Sequence, residues 1–442
     1  MDAKGFAMAL FVVGIVAARG SDARAQVTPA VAPCSYYVAL TGSNRAPGTQ
    51  SSPLRTIQHG VDALASAGGT VCVADAGPYV ESVTLRNSGT ASRWIAIRGV
   101  GTARAEISPP SNGTFAININ ARSYVALEHL HTNGGELGIV SSGGGSHWYV
   151  HDSEIENAVG SGIQLNNGDY VTVEGNLVHH NAATWGSYGS GVSVYEPVQL
   201  DSSAGYHIYI GGNTIYSNSN AVGGTDGNGI ILDTFSGHRF SAPSLVENNI
   251  GYGNAGACVK VYANGGAPIL VRNNTCFKDQ QLASRYTWRG EVSLEYAGGV
   301  TTVNNILWFD PAADSSNSAY LDGAGSANLA VSNISYGGSG ATNPLLVNPP
   351  ADMSLQPGSP AIGTGTNAYG VPAVDITGAA RSPASVDIGA VAFRAASPTA
   401  TSSIKASATP ISTSTAVATP TATPTTTPTN SMGGPARQRR HR

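Results

Sequence analysis

Polar side chains recur at matching positions of five short alternating segments in the middle of the chain. The segments are SGIQLNN from 161, SGVSVYE from 190, NGIILDT from 228, ACVKVYA from 257 and GEVSLEY from 290. Aligning them produces two columns, one of Gln164, Ser193, Ile231, Lys260 and Ser293, and one of Asn166, Tyr195, Asp233, Tyr262 and Glu295. If the segments are neighbouring strands about 4.8 Å apart, Asp233, Lys260 and Glu295 lie within reach of one sugar or metal ion.

An amine among carboxylates suits an enzyme that cleaves a uronate by β-elimination. Such a lyase needs a base, and a cation that stabilises the negative charge forming on the substrate carboxylate. Lys260 is the predicted base, and carboxylate oxygens are hard ligands that suit calcium. The predicted catalytic residues are Lys260, Asp233, Glu295 and Glu196, the predicted calcium ligands are Asp226 and Asp233, and the predicted substrate-binding residues are Tyr195, Tyr262, Arg285 and Arg289.

The same residues leave three other interpretations open. Glu196, Asp233 and Glu295 can serve a glycoside hydrolase, in which one carboxylic acid protonates the leaving oxygen and another carboxylate activates water. Lys260 and Asp233 can instead form a surface ion pair between neighbouring strands, without a catalytic role. A noncatalytic glycan-binding or adhesin-like protein would keep the aromatic and polar groove and would not need Lys260.

The strands that position these residues alternate with a second repeated phrase, which ends in asparagine each time. Its marked residues are Asn176, Asn213, Asn249, Asn274, Asn305 and Asn333, roughly 25 to 37 residues apart. A period-two strand turns alternate side chains inward, and no single coil can bury that apolar face until others stack on it. Asparagine at each bend can extend an amide ladder along the axis. The repeat therefore predicts an all-β fold, a right-handed parallel β-helix solenoid, in which these asparagines are structural.

The two ends of the chain differ from the repeat. A helical run over 54–67 predicts an N-terminal helical cap, since an open solenoid end exposes core and strand edge. The segments SLQPGSPAIG and VDIGAVAF are expected to close the other end around Phe393. The predicted β-helix domain spans 34–394, with a cap and first coils over 34–120, central coils over 121–340 and a closing segment over 341–394. Residues 395–442, rich in Ser, Thr and Pro with a basic end, predict a disordered tether.

Residues 1–25 have the pattern of a secretory signal peptide. An apolar run over 6–18 follows Lys4, and Ala23-Arg24-Ala25 provides an A-x-A cleavage site. No other apolar stretch approaches the roughly 20 residues of a membrane span, so we expect a secreted monomer without a stable membrane span.

Four cysteines suit an oxidising compartment, with Cys34 and Cys72, or Cys258 and Cys276, as the natural local pairs. Free buried thiols remain an equal alternative for the second pair, because cysteine is also a common small core residue.

Composition and motifs exclude several classes of partner. Only 11% of residues are charged and the formal net charge is -4, so the chain has no overall basic field for nucleic acid, and its one basic cluster, over 437–442, is interpreted as a solvated tail. The Gly-x-Gly fragments do not lie in βαβ units, so the sequence does not support nucleotide binding. The histidines lack the Cys/His spacing of a structural zinc site, so the sequence predicts none. A polysaccharide substrate remains the expected partner.

The terminal segments resemble a known group of proteins. YYVALTGSNRAPGTQSSPLRTIQHGVDAL resembles the N-terminal block, and VDIGAVAF the closing strand, of secreted right-handed parallel β-helix proteins in the pectate lyase superfamily. TDGNGIILD together with NNIGYGNAGACVKVYANG is similar to the ninth polysaccharide lyase family. That resemblance implies that acidic residues, here Asp226 and Asp233, bind calcium. It also implies that a lysine on a following coil, here Lys260, removes the proton alpha to a uronate carboxylate.

Overall fold

The protein is a right-handed parallel β-helix built from three long sheets. The computed structural model describes residues 29, 32–64, 68–183, 188–219, 226–281, 289–323, 325–339 and 341–395. The predicted signal peptide and nearly all of the predicted tether lie outside these residues. Each complete coil contributes one strand to each sheet, and every strand pairs in parallel with its counterparts in neighbouring coils.

The strands are numbered in chain order and fall into three parallel sheets and one hairpin. The first sheet contains β1 (Cys34–Val38), β2 (Gly69–Val73), β4 (Ile95–Gly99), β7 (Val125–Glu128), β10 (Ser146–His151), β13 (Asp169–Glu174), β16 (Ile208–Gly211), β19 (Ser244–Glu247), β22 (Ile269–Arg272), β25 (Val300–Val303) and β28 (Leu329–Val331). The second contains β5 (Ala105–Ile107), β8 (Leu130–Asn133), β11 (Glu154–Glu156), β14 (Leu177–His179), β17 (Thr214–Tyr216), β20 (Ile250–Tyr252), β23 (Thr275–Phe277), β26 (Ile306–Trp308) and β29 (Ile334–Tyr336). The third contains β3 (Val83–Thr84), β6 (Ile117–Asn118), β9 (Ile139–Ser141), β12 (Ile163–Asn166), β15 (Val192–Tyr195), β18 (Ile230–Asp233), β21 (Val259–Tyr262), β24 (Val292–Glu295) and β27 (Tyr320–Gly323). The antiparallel hairpin is β30 (Leu346–Asn348) with β31 (Asp352–Leu355).

Stacked apolar side chains fill the interior of the solenoid. In the third sheet, Ile163, Val192, Ile230, Val259 and Val292 are register partners on successive strands, and all are fully or almost fully buried. Each coil thus buries its inward side chains against the coils before and after it, as the period-two pattern predicts.

The predicted asparagine ladder is confirmed from Asn176 to Asn333. At a typical rung, the backbone N–H and the Nδ2 of Asn213 both donate to Oδ1 of Asn249, at 3.0 and 2.9 Å. The same Nδ2 donates to the carbonyl of Val173. Each amide therefore satisfies backbone groups at a buried bend, which explains why the asparagines recur.

A second ladder, absent from the sequence-based expectations, runs beside the first at the far end of the second-sheet strands. It consists of Asn181, Asn218, Asn254 and Asp279, joined by the same paired hydrogen bonds. Its last described rung carries a carboxyl group where the other rungs carry an amide.

The N-terminal helix is shorter than predicted. Helix α1 spans Ile57–Ala63, because Thr56 is its N-cap and Leu54 is held as an extended residue by hydrogen bonds with the backbone of Tyr37 and Ala39. Two orphan backbone N–H groups of the first turn, those of Ile57 and Gln58, donate to the carboxylate of Glu81 at 2.9 Å. Residues 65–67 of the predicted run lie outside the described residues.

The closing segment packs along the side of several coils rather than only around Phe393. Three asparagines that precede rungs of the first ladder donate to its backbone. Asn248 donates to Val374, Asn273 to Asp387 and Asn304 to Thr366, at 2.8 to 3.0 Å. The segment therefore covers the bend between the first and second sheets.

Both disulfides join the natural local pairs, Cys34 with Cys72 and Cys258 with Cys276, at Cα separations of 5.6 and 5.8 Å. The alternative of free thiols for the second pair is therefore wrong. Within the described residues, no helix has the length and apolar character needed to cross a membrane.

Candidate functional site

The third sheet carries the two predicted columns in the predicted register. Lys260 pairs with Ile231 on one side and Ser293 on the other, and Tyr262 lies between Asp233 and Glu295. These side chains point away from the interior because their strand neighbours fill it. The strands β18, β21 and β24 therefore bring Asp233, Lys260 and Glu295 onto one face.

Lys260 contacts two carboxylates, and neither is the partner expected for a simple cross-strand pair. Its Nζ lies 3.1 Å from Oε1 of Glu295 and 4.0 Å from Oδ1 of Asp226, which precedes β18. Asp233 instead accepts a hydrogen bond from the Thr234 hydroxyl at 2.7 Å. The lysine is 7% exposed, so this is a mostly desolvated charge cluster and not a surface ion pair. We call Lys260, Asp226, Asp233 and Glu295 the lysine cluster.

Burial makes two carboxyls of the lysine cluster harder to ionise. It raises the pKa of Asp226 to about 6, since desolvation and the charges of Asp233 and Glu295 outweigh the opposing effect of Lys260. Burial also raises the pKa of Asp233, against the hydrogen bond from Thr234. Near neutral pH, Asp226 therefore exchanges protons readily, which is the property required of a general acid or base.

The accessible side of the cluster is formed by Tyr195, Asp233 and Tyr262 in the second column. Tyr195 is 37% exposed, and Asp233 and Tyr262 are partly exposed. The Tyr195 hydroxyl donates to Glu196 at 2.9 Å, which raises the pKa of this tyrosine. A sugar chain approaching this face meets aromatic rings beside carboxylates, a combination that suits carbohydrate.

Glu196 lies next to a short 3-10 helix, Phe235–His238, which the sequence pattern did not predict. His238 Nε2 lies 3.8 Å from Glu196 and accepts a hydrogen bond from Nδ2 of Asn167 at 3.3 Å. The Glu196 backbone N–H donates to the Asp233 carbonyl. Glu196 therefore lies beside the lysine cluster, as predicted, and His238 is a neighbour that the sequence pattern did not identify. Its helix follows β18 directly, but no repeat marks it.

Of the two predicted substrate-binding arginines, the one that the structure describes, Arg289, is not placed in the lysine cluster. Arg289 donates to Asp314 at 2.8 Å and lies 3.4 Å from the side-chain oxygen of Asn317, in the loop that leads to the next coil. Arg285 lies outside the described residues. The role of both residues in substrate binding stays a prediction.

The described residues do not complete a calcium site at Asp226 and Asp233. Calcium takes six to eight oxygen ligands, whereas the ammonium of Lys260 lies against Asp226. In the described part of the chain, the groups of three converging metal-ligating side chains do not include either aspartate. The positive charge beside Asp226 comes from the chain itself, and calcium binding stays a prediction.

No protein-family model and no curated protein matches the chain. Among solved structures it is similar to pectate lyase Pel9A, with 16% identity and a TM-score of 0.49, over 85% of this chain and 100% of that one. It is also similar to the GH136 lacto-N-biosidase from Eubacterium ramulus, with 14% identity and a TM-score of 0.43, over 67% of this chain and 55% of that one. For alginate lyase from Paenibacillus sp. str. FPU-7 the identity is 15% and the TM-score 0.39, over 62% of this chain and 96% of that one. At these values the likeness carries no information about activity.

Proposed function

We propose that the chain is a secreted polysaccharide lyase that cleaves a uronate-containing glycan at the lysine cluster. The observation that carries the proposal is the placement of Lys260, a mostly buried amine held 3.1 Å from Glu295 and beside Asp226, next to an accessible aromatic column. A charged side chain beside buried carboxyls with raised pKa values is an arrangement typical of functional sites. Export through the signal peptide at 1–25 would deliver the enzyme to its substrate.

In β-elimination, the neutral amine of Lys260 removes the proton alpha to the uronate carboxylate and becomes an ammonium ion. The electron pair of that C–H bond forms the carbon–carbon double bond, and the bond to the glycosidic oxygen breaks. The leaving oxygen takes up a proton from water, and the Lys260 ammonium returns its proton to the hydroxide that forms. Glu295 holds the Lys260 Nζ in position, so that the amine needs little reorganisation to react.

A glycoside hydrolase is the second candidate, and the raised pKa values of Asp226 and Asp233 favour it. A carboxyl that is partly protonated near pH 6 can donate to a leaving oxygen while a second carboxylate activates water. The two candidates differ in the protonation state that each needs in its own key residue. A lysine is a base only when neutral, whereas the hydrolase needs Asp226 protonated.

The discriminating experiment incubates the purified protein with a panel of uronate and neutral polysaccharides. It follows the ultraviolet absorbance of unsaturated uronates and, in parallel, the release of reducing ends. The variants are Lys260→Met and, as a matched control, Lys278→Met. Lys278 is the only other lysine among the described residues, and it follows β23 of the second sheet.

We expect ultraviolet-absorbing products that disappear in Lys260→Met and persist in Lys278→Met. Because Lys260→Met leaves Glu295 buried without its partner, Lys260→Met combined with Glu295→Gln tests the same loss without that unpaired carboxylate. Reducing ends without ultraviolet absorbance would support the hydrolase. Glycan binding without turnover would support a noncatalytic binder. Each assay is repeated with calcium and with EDTA, and a rate that falls with EDTA and recovers with calcium would support calcium binding at Asp226 and Asp233.

A further inference from the structure

Two histidines and two glutamates converge on the outer face of the second sheet. Glu154 and Glu156 lie on β11, with the buried Ile155 between them, so both carboxylates point outward. The register places His131 of β8 beside Glu154, and His179 of β14 beside Glu156. Three successive coils therefore contribute to one group, which we call the His/Glu cluster: His131, Glu154, Glu156 and His179.

The side chains of the His/Glu cluster are in direct contact. His131 Nε2 lies 2.9 Å from Oε1 of Glu156, and His179 Nε2 lies 3.2 Å from Oε1 of Glu154. His179 Nδ1 also lies 3.7 Å from the other oxygen of Glu156. Ligand atoms of His131, Glu154 and Glu156 all lie within 4.8 Å of one another, so a small movement of the side chains would direct them at one ion.

We propose that His131, Glu154, Glu156 and His179 bind one divalent transition-metal ion, with zinc as the best match. Two imidazole nitrogens and two carboxylate oxygens form a four-ligand set of the kind zinc accepts in tetrahedral geometry. Calcium and magnesium prefer sites made of oxygen alone, which this set is not. The four ligands are spread over 48 positions of the chain, from His131 to His179, so a search for closely spaced Cys and His residues does not reveal them.

The surroundings and charge of the cluster favour metal binding. His180 Nδ1 lies 2.8 Å from Nδ1 of His179 and can orient the ring, as outer partners of metal-bound histidines do. Glu154 also contacts Arg104 at 3.5 Å, but Arg104 pairs more closely with Asp152, at 2.9 Å. A divalent ion would offset the repulsion between two carboxylates on one strand.

The site is separate from the lysine cluster, since its strands belong to another sheet and to earlier coils. It does not rest on the proposed lyase function. A metal ion there would link β8, β11 and β14, so its expected effect is on stability.

The test titrates zinc into EDTA-treated full-length protein by calorimetry and records the thermal unfolding temperature with and without zinc. The variants are His131→Ala and the isosteric Glu156→Gln. The matched control is His59→Ala, which removes an exposed histidine of α1. Circular dichroism verifies that each variant is folded, and cobalt in place of zinc reports tetrahedral coordination through its visible absorption.

We expect one zinc ion per chain, a higher unfolding temperature with zinc, and affinity weakened at least tenfold in both cluster variants but unchanged in His59→Ala. The absence of zinc binding would overturn the proposal. Binding that is equally strong in His131→Ala and Glu156→Gln would overturn it as well, because the ion would then sit elsewhere. If His131→Ala does not fold, Glu156→Gln alone decides, since it keeps the shape of the side chain.

Discussion

The carboxyl group that ends the second ladder should make the protein less stable as pH rises. Asp279 accepts from the backbone N–H and Nδ2 of Asn254 at 2.8 and 2.7 Å, as an asparagine would. It is fully buried, and so is Glu291, whose carboxyl interacts with it. Burial raises the pKa of Asp279 to about 7 and, together with the charge of Asp279, raises the pKa of Glu291 well above its ordinary value.

The sign of the effect follows from the two states. In the unfolded chain Asp279 loses its proton near its ordinary pKa of 3.8, whereas in the folded chain it keeps the proton until about pH 7. Between these values the folded state binds more protons, so the free energy of unfolding falls as pH rises. A difference of this size corresponds to a loss on the order of 2 to 4 kcal/mol at pH 8 compared with pH 4.

Asp279→Asn removes this ionisation and keeps the ladder acceptor. Its Oδ1 can still accept from Asn254, and its new amide N–H can donate to Glu291. We expect the variant to exceed the natural chain in stability by on the order of 2 kcal/mol at pH 8 and to match it at pH 4 to 5. Glu291 still titrates, so the dependence on pH is reduced and not abolished.

Urea unfolding at pH 5 and pH 8 measures the effect, with Asp62→Asn on the exposed face of α1 as the matched control. If Asp279→Asn gains nothing at pH 8, or gains equally at both pH values, the buried carboxyl is not the source of the dependence and the reasoning fails.

Three further outcomes are expected. Asn249→Ala should lower the free energy of unfolding by about 3 to 5 kcal/mol in urea unfolding, because it leaves two donors of Asn213 without an acceptor in a buried bend. Lys260→Met should cost about 3 to 5 kcal/mol by the same measurement, because Glu295 stays buried and unpaired, and adding Glu295→Gln should restore most of it. In a pH–rate profile, lyase activity should rise into alkaline buffer. A hydrolase that uses the acid form of Asp226 would instead lose activity as pH rises through about 6.

The repeating features of the fold could be read from the chain alone. A period-two strand has one inward and one outward side, so aligning five segments was enough to place Asp233, Lys260 and Glu295 on neighbouring strands of one face. The asparagines of the first ladder were identifiable because the same amide is needed at the same bend in every coil. These predictions succeed because a solenoid repeats its local rules with each coil.

Contacts that do not repeat required the folded chain. Asp226, just before β18, becomes a partner of Lys260 on β21 only in the folded chain, and no spacing in the sequence encodes that distance. The helix begins at Ile57 because Glu81, on a later segment, supplies acceptors for its first N–H groups. His131 and His179 meet at Glu154 and Glu156 because stacking brings separate coils into register. Periodicity determines which face a side chain occupies, whereas its partners across coils and loops depend on how the coils stack and where the connecting segments pack.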